Sequence, residues 1–345
     1  MKSQIKTEKI MDLIEKEIKG KNGSRAYFWK TDKVAENWNF YDYKRVVLEP
    51  HLVIENSIEN SFQELITPEV RSLSFGTNGN IDLKEVFELI PHLEIVYLRC
   101  ESISNVDFLK KFNKLNTFSL TSYKNQSVNF QLPKQLKVFS CTWRSKFQLT
   151  ESSDSLEELY LEKARNVDLN SIFKQSFKLV KIVLTDCNLC NSLDEMIGLK
   201  YLRYLMLTNC TELGISSHQT TNKSLKYLCF TKVYMESAEW IPDFLEIDIL
   251  ILESCGNIET MALLERMPNI RGLMLSGNTK LINGDLSWLN KLTQLKNLFI
   301  RDYPHYNYKS INPWNWRNFD NDNIINPYKY KGNMDNVPQM SVVCK

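Results

Sequence analysis

The sequence predicts an α/β solenoid, in which short parallel strands lie side by side and are joined by short helices or 3₁₀ turns. An apolar pattern recurs every 20 to 25 residues along about two thirds of the 345-residue chain. Within each recurrence, apolar residues alternate with other residues over about five positions, which is typical of a strand with one buried face. A unit this short cannot close a hydrophobic core alone, so neighbouring units are expected to stack.

The repeat is clearest in the middle of the chain. Residues 179–189 read Leu-x-x-Ile-x-Leu-x-x-Cys-x-Leu, and the copy that begins at Leu202 keeps this pattern as far as Cys210. Positions are counted below from the first apolar residue of each copy, so that positions 4 and 6 are expected to face the core. The first residues of the eleven copies are Val70, Leu93, Leu115, Leu136, Leu156, Leu179, Leu202, Leu225, Ile247, Ile270 and Leu295.

This pattern resembles the leucine-rich repeat family over roughly residues 65–305. The resemblance implies a curved solenoid of about eleven repeats, with parallel strands on the concave face and short helices or 3₁₀ turns on the convex face. It implies little about function, because one fold serves many binding partners. The expected segments are an N-terminal helical and aromatic cap (1–64), the solenoid (65–303) and a C-terminal cap or tail rich in aromatic residues and Asn (304–345).

Both ends of a solenoid need a cover. At the N-terminus, an apolar stripe at helical spacing predicts a helix that ends near Lys19. The aromatic segment Tyr27–Tyr43 either seals the first repeat or forms a binding surface, and residues 45–48 are a candidate extra strand. The C-terminal segment either caps the last repeat or contacts a partner. The stripe consists of Ile5, Ile10, Met11, Ile14 and Ile18.

The repeat accounts for most of the eight cysteines. Position 9 in this family is usually an inward-facing Asn or Cys that bonds to the backbone of the turn, so Cys187, Cys210 and Cys255 are expected there as buried thiols. Cys187 and Cys190 also form a C-x-x-C pair, for which a redox or zinc role is the weaker alternative, since the sequence has no second such pair. Asn78 and Asn278 occupy position 9 in two other repeats, and the remaining repeats depart from the pattern.

The expected concave face carries the candidate binding site. Position 5 is almost wholly apolar from Tyr160 to Phe299, which indicates an interaction patch or a strip covered by a loop or by the C-terminal tail. The flanking charges are mixed and the chain is nearly neutral, with 43 Lys+Arg and 41 Asp+Glu, which favours a folded protein partner over nucleic acid. The candidate partner-binding residues are Tyr97, Arg99, Trp143, Tyr160, Glu162, Lys181, Asp186, Tyr204, Tyr227, Lys232, Glu253, Phe299, Arg301 and Asp302.

Catalytic chemistry has little support in the sequence. The chain has four His, and none lies at a motif spacing from a Cys or a carboxylate. Phosphate-binding, dinucleotide-binding, zinc-protease and serine-hydrolase motifs are missing, so no catalytic residue, cofactor or metal ligand is assigned. A composite site formed by distant residues stays open. No secretory signal or membrane-spanning run is recognised, which predicts a cytoplasmic protein with free thiols and no membrane contact.

The leading functional hypothesis is a cytoplasmic inhibitor or immunity protein that neutralises a toxin or an enzyme by occlusion. It has a distant similarity to ribonuclease inhibitor-like cytosolic repeat proteins, although its repeats of about 22 residues are closer to irregular bacterial ones. We expect it to be a monomer when free. The alternatives are a signalling or ubiquitin-pathway adaptor, with residues 27–43 as its docking segment, and a cell-surface adhesion protein of the internalin kind.

Overall fold

The chain divides into two compact units, one ending at Leu156 and the other beginning at Glu157. No helix in the part of the chain that the structure describes is long and apolar enough to span a membrane. The computed structural model describes residues 14–29, 50–165, 172, 173, 176, 178–188, 196, 199–211, 222–235, 238, 241, 246–267, 269–301 and 303–307.

The first unit is a sheet whose strands are connected by short strands, 3₁₀ turns and one α-helix within residues 50–156. The helix α1 (Leu83–Leu89) begins at Asp82, whose carboxylate accepts a hydrogen bond from the N–H of Lys84 at 2.8 Å. The 3₁₀ turns are Lys21–Gly23, Asn60–Leu65 and Val106–Lys111. The strands are β1 (Ile14–Lys19), β2 (Arg25–Trp29), β3 (His51–Glu55), β4 (Ser72–Gly76), β5 (Asn80–Asp82), β6 (Ile95–Cys100), β7 (Ser102–Ser104), β8 (Thr117–Ser122), β9 (Val128–Gln131), β10 (Val138–Thr142) and β11 (Phe147–Glu151).

The second unit repeats the same plan with parallel strands throughout its main sheet. Its 3₁₀ turns include Ala262–Arg266 and Ser287–Lys291. The strands are β12 (Glu158–Glu162), β13 (Lys181–Thr185), β14 (Tyr204–Thr208), β15 (Tyr227–Thr231), β16 (Ile249–Glu253), β17 (Asn257–Ile258), β18 (Gly272–Ser276), β19 (Lys280–Leu281) and β20 (Asn297–Ile300).

The predicted leucine-rich repeat solenoid is confirmed by the strands themselves. Each of the eleven repeats contributes one strand to the main sheet of its own unit, and equivalent positions of neighbouring repeats within a unit pair in register. Leu205, at position 4, pairs with Ile182 on one side and Leu228 on the other, and all three side chains are fully buried. Stacking therefore closes one continuous core within each unit, as the alternation of apolar residues requires.

The predicted N-terminal helix is wrong at its described end, because Ile14–Lys19 form strand β1. This strand pairs antiparallel with β2, and β2 pairs antiparallel with β3. The turn between them contains Asn22 (φ 51°) and Gly23 (φ 74°), and an Asn-Gly pair with left-handed backbone is a strong hairpin signal. This local turn chemistry outweighs a helical stripe whose earlier members, residues 5–11, lie outside the described residues.

An extra strand, β3, precedes the first repeat. Leu52 and Ile54 pair with Leu73 and Phe75 of β4, so they take core positions 4 and 6 of a further repeat. Both side chains are fully buried. The offset from β4 is 21 residues, within the range of the other repeats, whereas residues 45–48 lie outside the part of the chain described.

The C-terminal segment is described as far as residue 307, and this part packs on the repeat that begins at Ile270. The Tyr306 hydroxyl accepts a hydrogen bond from the N–H of Leu281 at 2.8 Å, and the ring is buried. His305 Nε2 lies 2.8 Å from the Leu281 carbonyl oxygen. These contacts favour capping by residues 303–307, while the segment boundaries at 64 and 303 stay predictions.

Candidate functional site

The apolar strip at position 5 is buried from Tyr160 to Ile251 in the second unit. Val183, Met206, Cys229 and Ile251 are 5%, 5%, 2% and 1% exposed, so the expectation of an open interaction patch is wrong for these residues. An apolar row of this length is costly to leave in water. Its burial within a single chain favours the alternative that the chain itself covers the strip.

The aromatic candidates on this face are interior residues for the same reason. Lys181, Tyr204 and Tyr227 are neighbours at position 3 of successive strands and are 1%, 8% and 3% exposed. The two tyrosine rings stack in parallel with centroids 4.2 Å apart, and Lys181 Nζ lies 4.3 Å from the Tyr204 ring centroid and 5.4 Å from that of Tyr160. Burial, followed by the nearby Tyr204, raises the pKa of Tyr227 well above its usual value. Tyr160 is itself 5% exposed, so these four residues stabilise the unit and do not form a free contact surface.

Trp143 also lies in the core, which corrects its assignment to the binding face. Its ring is 2% exposed and lies 6.0 Å from the Phe130 ring and 5.9 Å from the Phe147 ring. In the repeats that begin at Leu93, Leu115 and Leu136, position 8 continues the strand alternation and faces inward, as Cys100 and Ser122 show by their complete burial. Position 8 therefore takes the inward role that the sequence pattern assigns to position 9.

In the second unit the chain turns differently at the end of each strand, because position 8 has left-handed backbone in six successive repeats. The φ angles are 64° at Lys163, 54° at Asp186, 51° at Asn209 and 53° at Lys232, and Ser254 and Gly277 continue the row. Each backbone N–H from Lys163 to Ser254 donates to the position-7 carbonyl of the next repeat at 2.7–2.9 Å. We call this row the corner rim: Lys163, Asp186, Asn209, Lys232, Ser254 and Gly277.

The left-handed corner turns position 9 into the core, where the predicted thiols form a ladder. Cys187 Sγ donates to the Leu161 carbonyl at 3.6 Å, Cys210 Sγ to Leu184 at 3.5 Å and Cys255 Sγ to Phe230 at 3.4 Å. Burial raises the pKa of Cys255 to about 11. The next rung is Thr279, whose hydroxyl donates to the Leu252 carbonyl at 3.0 Å, so the expectation for Asn278 is wrong by one residue. An additional residue after Gly277 causes this shift.

The corner rim brings together predicted residues that do reach solvent. Lys232 is exposed, and Asp186 accepts a hydrogen bond from the side-chain amide of Asn209. Glu162 forms an ion pair with Lys163 at 2.8 Å. Glu253 accepts from the Thr231 hydroxyl at 3.5 Å, next to the rim at position 7. The rim is thus an exposed row of both charges.

One exposed aromatic residue of this rim escaped the sequence analysis. Tyr234 follows Lys232 by two residues and is 70% exposed, the most open large apolar side chain in the described part of the chain. A Cβ atom placed on Gly256 would lie 3.0 Å from Tyr234 Cδ1, so the ring rests against the Gly256 backbone. No signal in the sequence alone indicated Tyr234, because the left-handed corner beside it is recognised only from its backbone angles.

The last repeat holds the remaining candidates. Phe299 is half-buried in β20, and Arg301 is exposed and donates to the Gly277 carbonyl. Its guanidinium lies 5.7 Å from the Tyr303 ring centroid. Asp302 lies outside the described residues.

In the first unit, Tyr97 and Arg99 line a cavity of about 320 Å³ at the carboxyl ends of β3, β4 and β6, which we call the β4 cavity. Tyr97 is 2% exposed, whereas Arg99 is exposed and its Nε donates to the Tyr123 hydroxyl at 2.7 Å. Ser74 and Gly76 also line the cavity. This β4 cavity is separate from the corner rim, and position in sequence alone did not indicate it.

Among the described residues, no three His, Cys, Asp or Glu side chains converge as metal ligands would. Cys187 belongs to the thiol ladder, and Cys190 is outside the described residues. His51 Nδ1 lies 2.7 Å from Ser72 Oγ and its Nε2 lies 3.0 Å from Ser74 Oγ. The ring is 3% exposed and bridges two strands, so its evident role is to order these hydroxyls.

Comparisons with known proteins add little to this picture. No protein-family model and no curated protein matches the chain. Similar solved structures include an internalin from Listeria monocytogenes (15% identity, 71% of this chain, 76% of that chain, TM-score 0.48) and a leucine-rich repeat protein from Leptospira interrogans (18%, 72%, 60%, 0.48). A third is the complex of PEPR1 with AtPEP1 (15%, 74%, 41%, 0.43). The chain spans less than two thirds of the last two, and likenesses at these levels carry no functional argument.

Proposed function

We propose that the protein is a binding protein that docks onto a folded protein partner through the corner rim of its second unit. The sharper form of the proposal is a cytoplasmic inhibitor or immunity protein, a monomer when free, that neutralises a toxin or an enzyme by occlusion. The observation that carries the docking proposal is the row of exposed and half-buried residues at the left-handed corners, with the open Tyr234 ring beside Lys232.

The rim is rigid before any partner binds. Each corner N–H from Lys163 to Ser254 is bonded to the next repeat, and the thiol ladder fixes the chain directly behind the corners. Successive corners lie about 4.8 Å apart, the spacing of adjacent strands. Side chains on such a frame lose little backbone entropy on docking, which favours tight binding by a modest surface.

The chemistry of the rim suits a folded protein. Lys163 and Lys232 alternate with Glu162, Asp186 and Glu253, so a partner must offer a matching mixed pattern. Mixed charge sets the register and the association rate of protein complexes, whereas a nucleic acid would need a consistently positive row. Tyr234 supplies the aromatic anchor that concentrates binding energy in such interfaces.

The first test compares two tyrosines of the same unit. Tyr234→Ala is expected to weaken capture of the partner from a lysate of the native host by roughly 5- to 150-fold, the effect of losing an aromatic anchor. Tyr201→Ala is the matched control, because Tyr201 is 49% exposed but precedes β14 at the opposite end of the strands. Equal loss in both variants, or loss in neither, would contradict docking by the rim.

The second test separates inhibition from scaffolding. The partner captured by the wild type is identified by mass spectrometry, and its activity is titrated with the purified protein. An inhibitor abolishes the activity at one equivalent, and Lys232→Glu shifts the titration to higher concentration. An adaptor leaves the activity unchanged and binds a second protein at the same time. Recovery of the protein at the cell surface would instead favour adhesion.

A further inference from the structure

The second unit carries a basic surface at the ends of its strands that lie opposite the corner rim, and we infer that this surface binds an acidic, extended segment of a protein. It lies at the N-terminal ends of β13, β14 and β15. We call it the basic patch: Lys178, Lys200, Arg203, Lys223 and Lys226. The basic patch shares no residue with the corner rim, so it is a second site that does not depend on the docking proposed above.

Positive charge is concentrated in the basic patch. The one ion pair formed within the described residues by its five cations joins Lys226 Nζ to Glu246 at 2.7 Å. The charge that is left exceeds the formal net charge of the whole chain, which is +2. Four of the five cations are exposed: Lys178, Lys200, Arg203 and Lys223. A surface with such an excess of one sign attracts ligands of the other sign.

The row of residues at position 2 shows why this charge is available to a ligand. Where two neighbouring repeats carry opposite charges at this position, the side chains pair, as Arg271 does with Asp248. In the basic patch, the position-2 neighbours of Arg203 are Val180 and Lys226. Neither neighbour offers a carboxylate, so the exposed guanidinium can pair with an anion that comes from outside the chain.

The backbone under the patch is held in place before any ligand binds. Asn222 Nδ2 donates to the Leu199 carbonyl at 3.0 Å, and Ser224 Oγ donates to the Lys200 carbonyl at 2.6 Å. These bonds tie together the segments that carry Lys200 and Lys223, which occupy equivalent positions of adjacent repeats about 4.8 Å apart. A preformed set of cations loses little backbone entropy on binding.

The small width of the patch favours an acidic peptide over a nucleic acid or a membrane. The distance from β13 to β15 is two strand spacings, or about 9.6 Å. Glu157 follows on the β12 side and Asp248 on the β16 side, so the positive charge does not continue along the sheet. The many phosphates of a nucleic acid or of a lipid surface would meet these carboxylates, whereas nucleic-acid binders present a long basic stripe.

An extended peptide fits these dimensions. Alternate side chains of such a peptide lie about 6.8 Å apart on one face, so two carboxylates of an Asp- or Glu-rich segment match the width of the patch. Each carboxylate would accept charge-assisted hydrogen bonds from Lys or Arg side chains. The exposed amines of Lys200 and Lys223 and the guanidinium of Arg203 are the groups expected to make them.

The test is fluorescence anisotropy of the full-length protein with a fluorescein-labelled oligoglutamate of about six residues, which spans the patch when extended. Saturable binding with a dissociation constant of about 100 μM or tighter is expected at about 50 mM salt, and the matching oligoglutamine should bind at least about tenfold more weakly. Raising the salt to about 500 mM should weaken binding by about tenfold or more, because exposed charges are screened.

Charge reversal inside and outside the patch is the decisive comparison. Arg203→Glu should weaken binding of the oligoglutamate by about tenfold or more, whereas Arg203→Lys keeps the charge and should retain most of it. Lys296→Glu is the matched control, because Lys296 is exposed at position 2 of the last repeat and the variant has the same net charge. It should bind within about twofold of the wild type. If Arg203→Glu does not fold, Lys223→Glu makes the same comparison.

Four results would overturn the inference. They are no saturable binding up to about 1 mM protein, oligoglutamine binding as tight as that of oligoglutamate, equal losses in Lys296→Glu and in the folded patch variant, and tighter binding of an oligothymidylate or of phosphatidylserine vesicles than of the peptide. The last result would identify the ligand as a nucleic acid or a membrane.

Discussion

Replacing Tyr227 by Ala tests whether the front of the second unit is interior or surface. If the sequence expectation of an open binding face were right, the substitution would cost little stability and mainly weaken partner binding. The structure places the ring at 3% exposure and stacks it on Tyr204 with centroids 4.2 Å apart. We therefore expect Tyr227→Ala to destabilise the fold.

The expected loss follows from two contributions. Truncating a buried aromatic side chain to Ala costs about 3–5 kcal/mol, through lost burial and the cavity left behind. Loss of the ring stack accounts for about 0.5–1.5 kcal/mol of that cost. We expect a decrease of about 4 kcal/mol in the free energy of unfolding. Tyr227→Phe keeps the ring and the stack and should change it by only about 1 kcal/mol.

Urea unfolding followed by far-ultraviolet circular dichroism measures these changes as shifts in midpoint. Tyr201→Ala is the surface reference, because this residue is 49% exposed in the same unit and should change stability by about 0.5 kcal/mol or less. The reasoning is refuted if Tyr227→Ala matches Tyr201→Ala, since the front face would then be open to water.

Two further predictions concern the corners and the thiols. Lys232→Gly should raise the free energy of unfolding by about 0.5–1 kcal/mol, because φ is 53° at this exposed residue and Gly adopts that backbone without steric cost. Lys232→Ala keeps the backbone strain and should therefore not raise the free energy of unfolding. Burial raises the pKa of Cys100 to about 12 and that of Cys255 to about 11, whereas both thiols titrate near 9 when unfolded. These two thiols therefore leave the free energy of unfolding unchanged below pH 9. As the pH rises through 9, they lower it, by about 1.4 kcal/mol per thiol at pH 10. Urea titrations at pH 8 and 10 measure this fall, which should be smaller in Cys255→Ala; an unchanged fall would contradict the assignment.

The repeats were predictable because their signal is local and recurs. Leu205 and Leu207 belong to a pattern that eleven copies share, and strand register follows once the copies align. The corner rim was only partly predictable from the sequence. Position 9 indicated the thiols at Cys187 and Cys210, but left-handed backbone at Asp186 leaves no reliable mark in the sequence.

Trp143 shows why the site was harder to predict. Its side chain points inward because position 8 of its repeat continues the strand alternation and lacks left-handed backbone, and one shifted residue exchanges core and surface. The burial of Tyr204 and Tyr227 depends on what the whole chain places over the sheet, which a strand pattern cannot specify. The β4 cavity is lined by residues of three strands, Val53, Ser74 and Tyr97 among them, whose proximity follows only from the strand register.

The bonds of the corner rim and the thiol ladder join each repeat only to its immediate neighbours. The repeats that begin at Leu179 and Leu202 make the same corner bonds on both sides, and each places a thiol at position 9, so a gene segment encoding 23 residues could be duplicated or deleted there without breaking the row of corner bonds. Such an event would lengthen or shorten the row by one step of about 4.8 Å. Duplication or deletion of a repeat would therefore change the length of the corner rim while keeping the type of side chains that it carries.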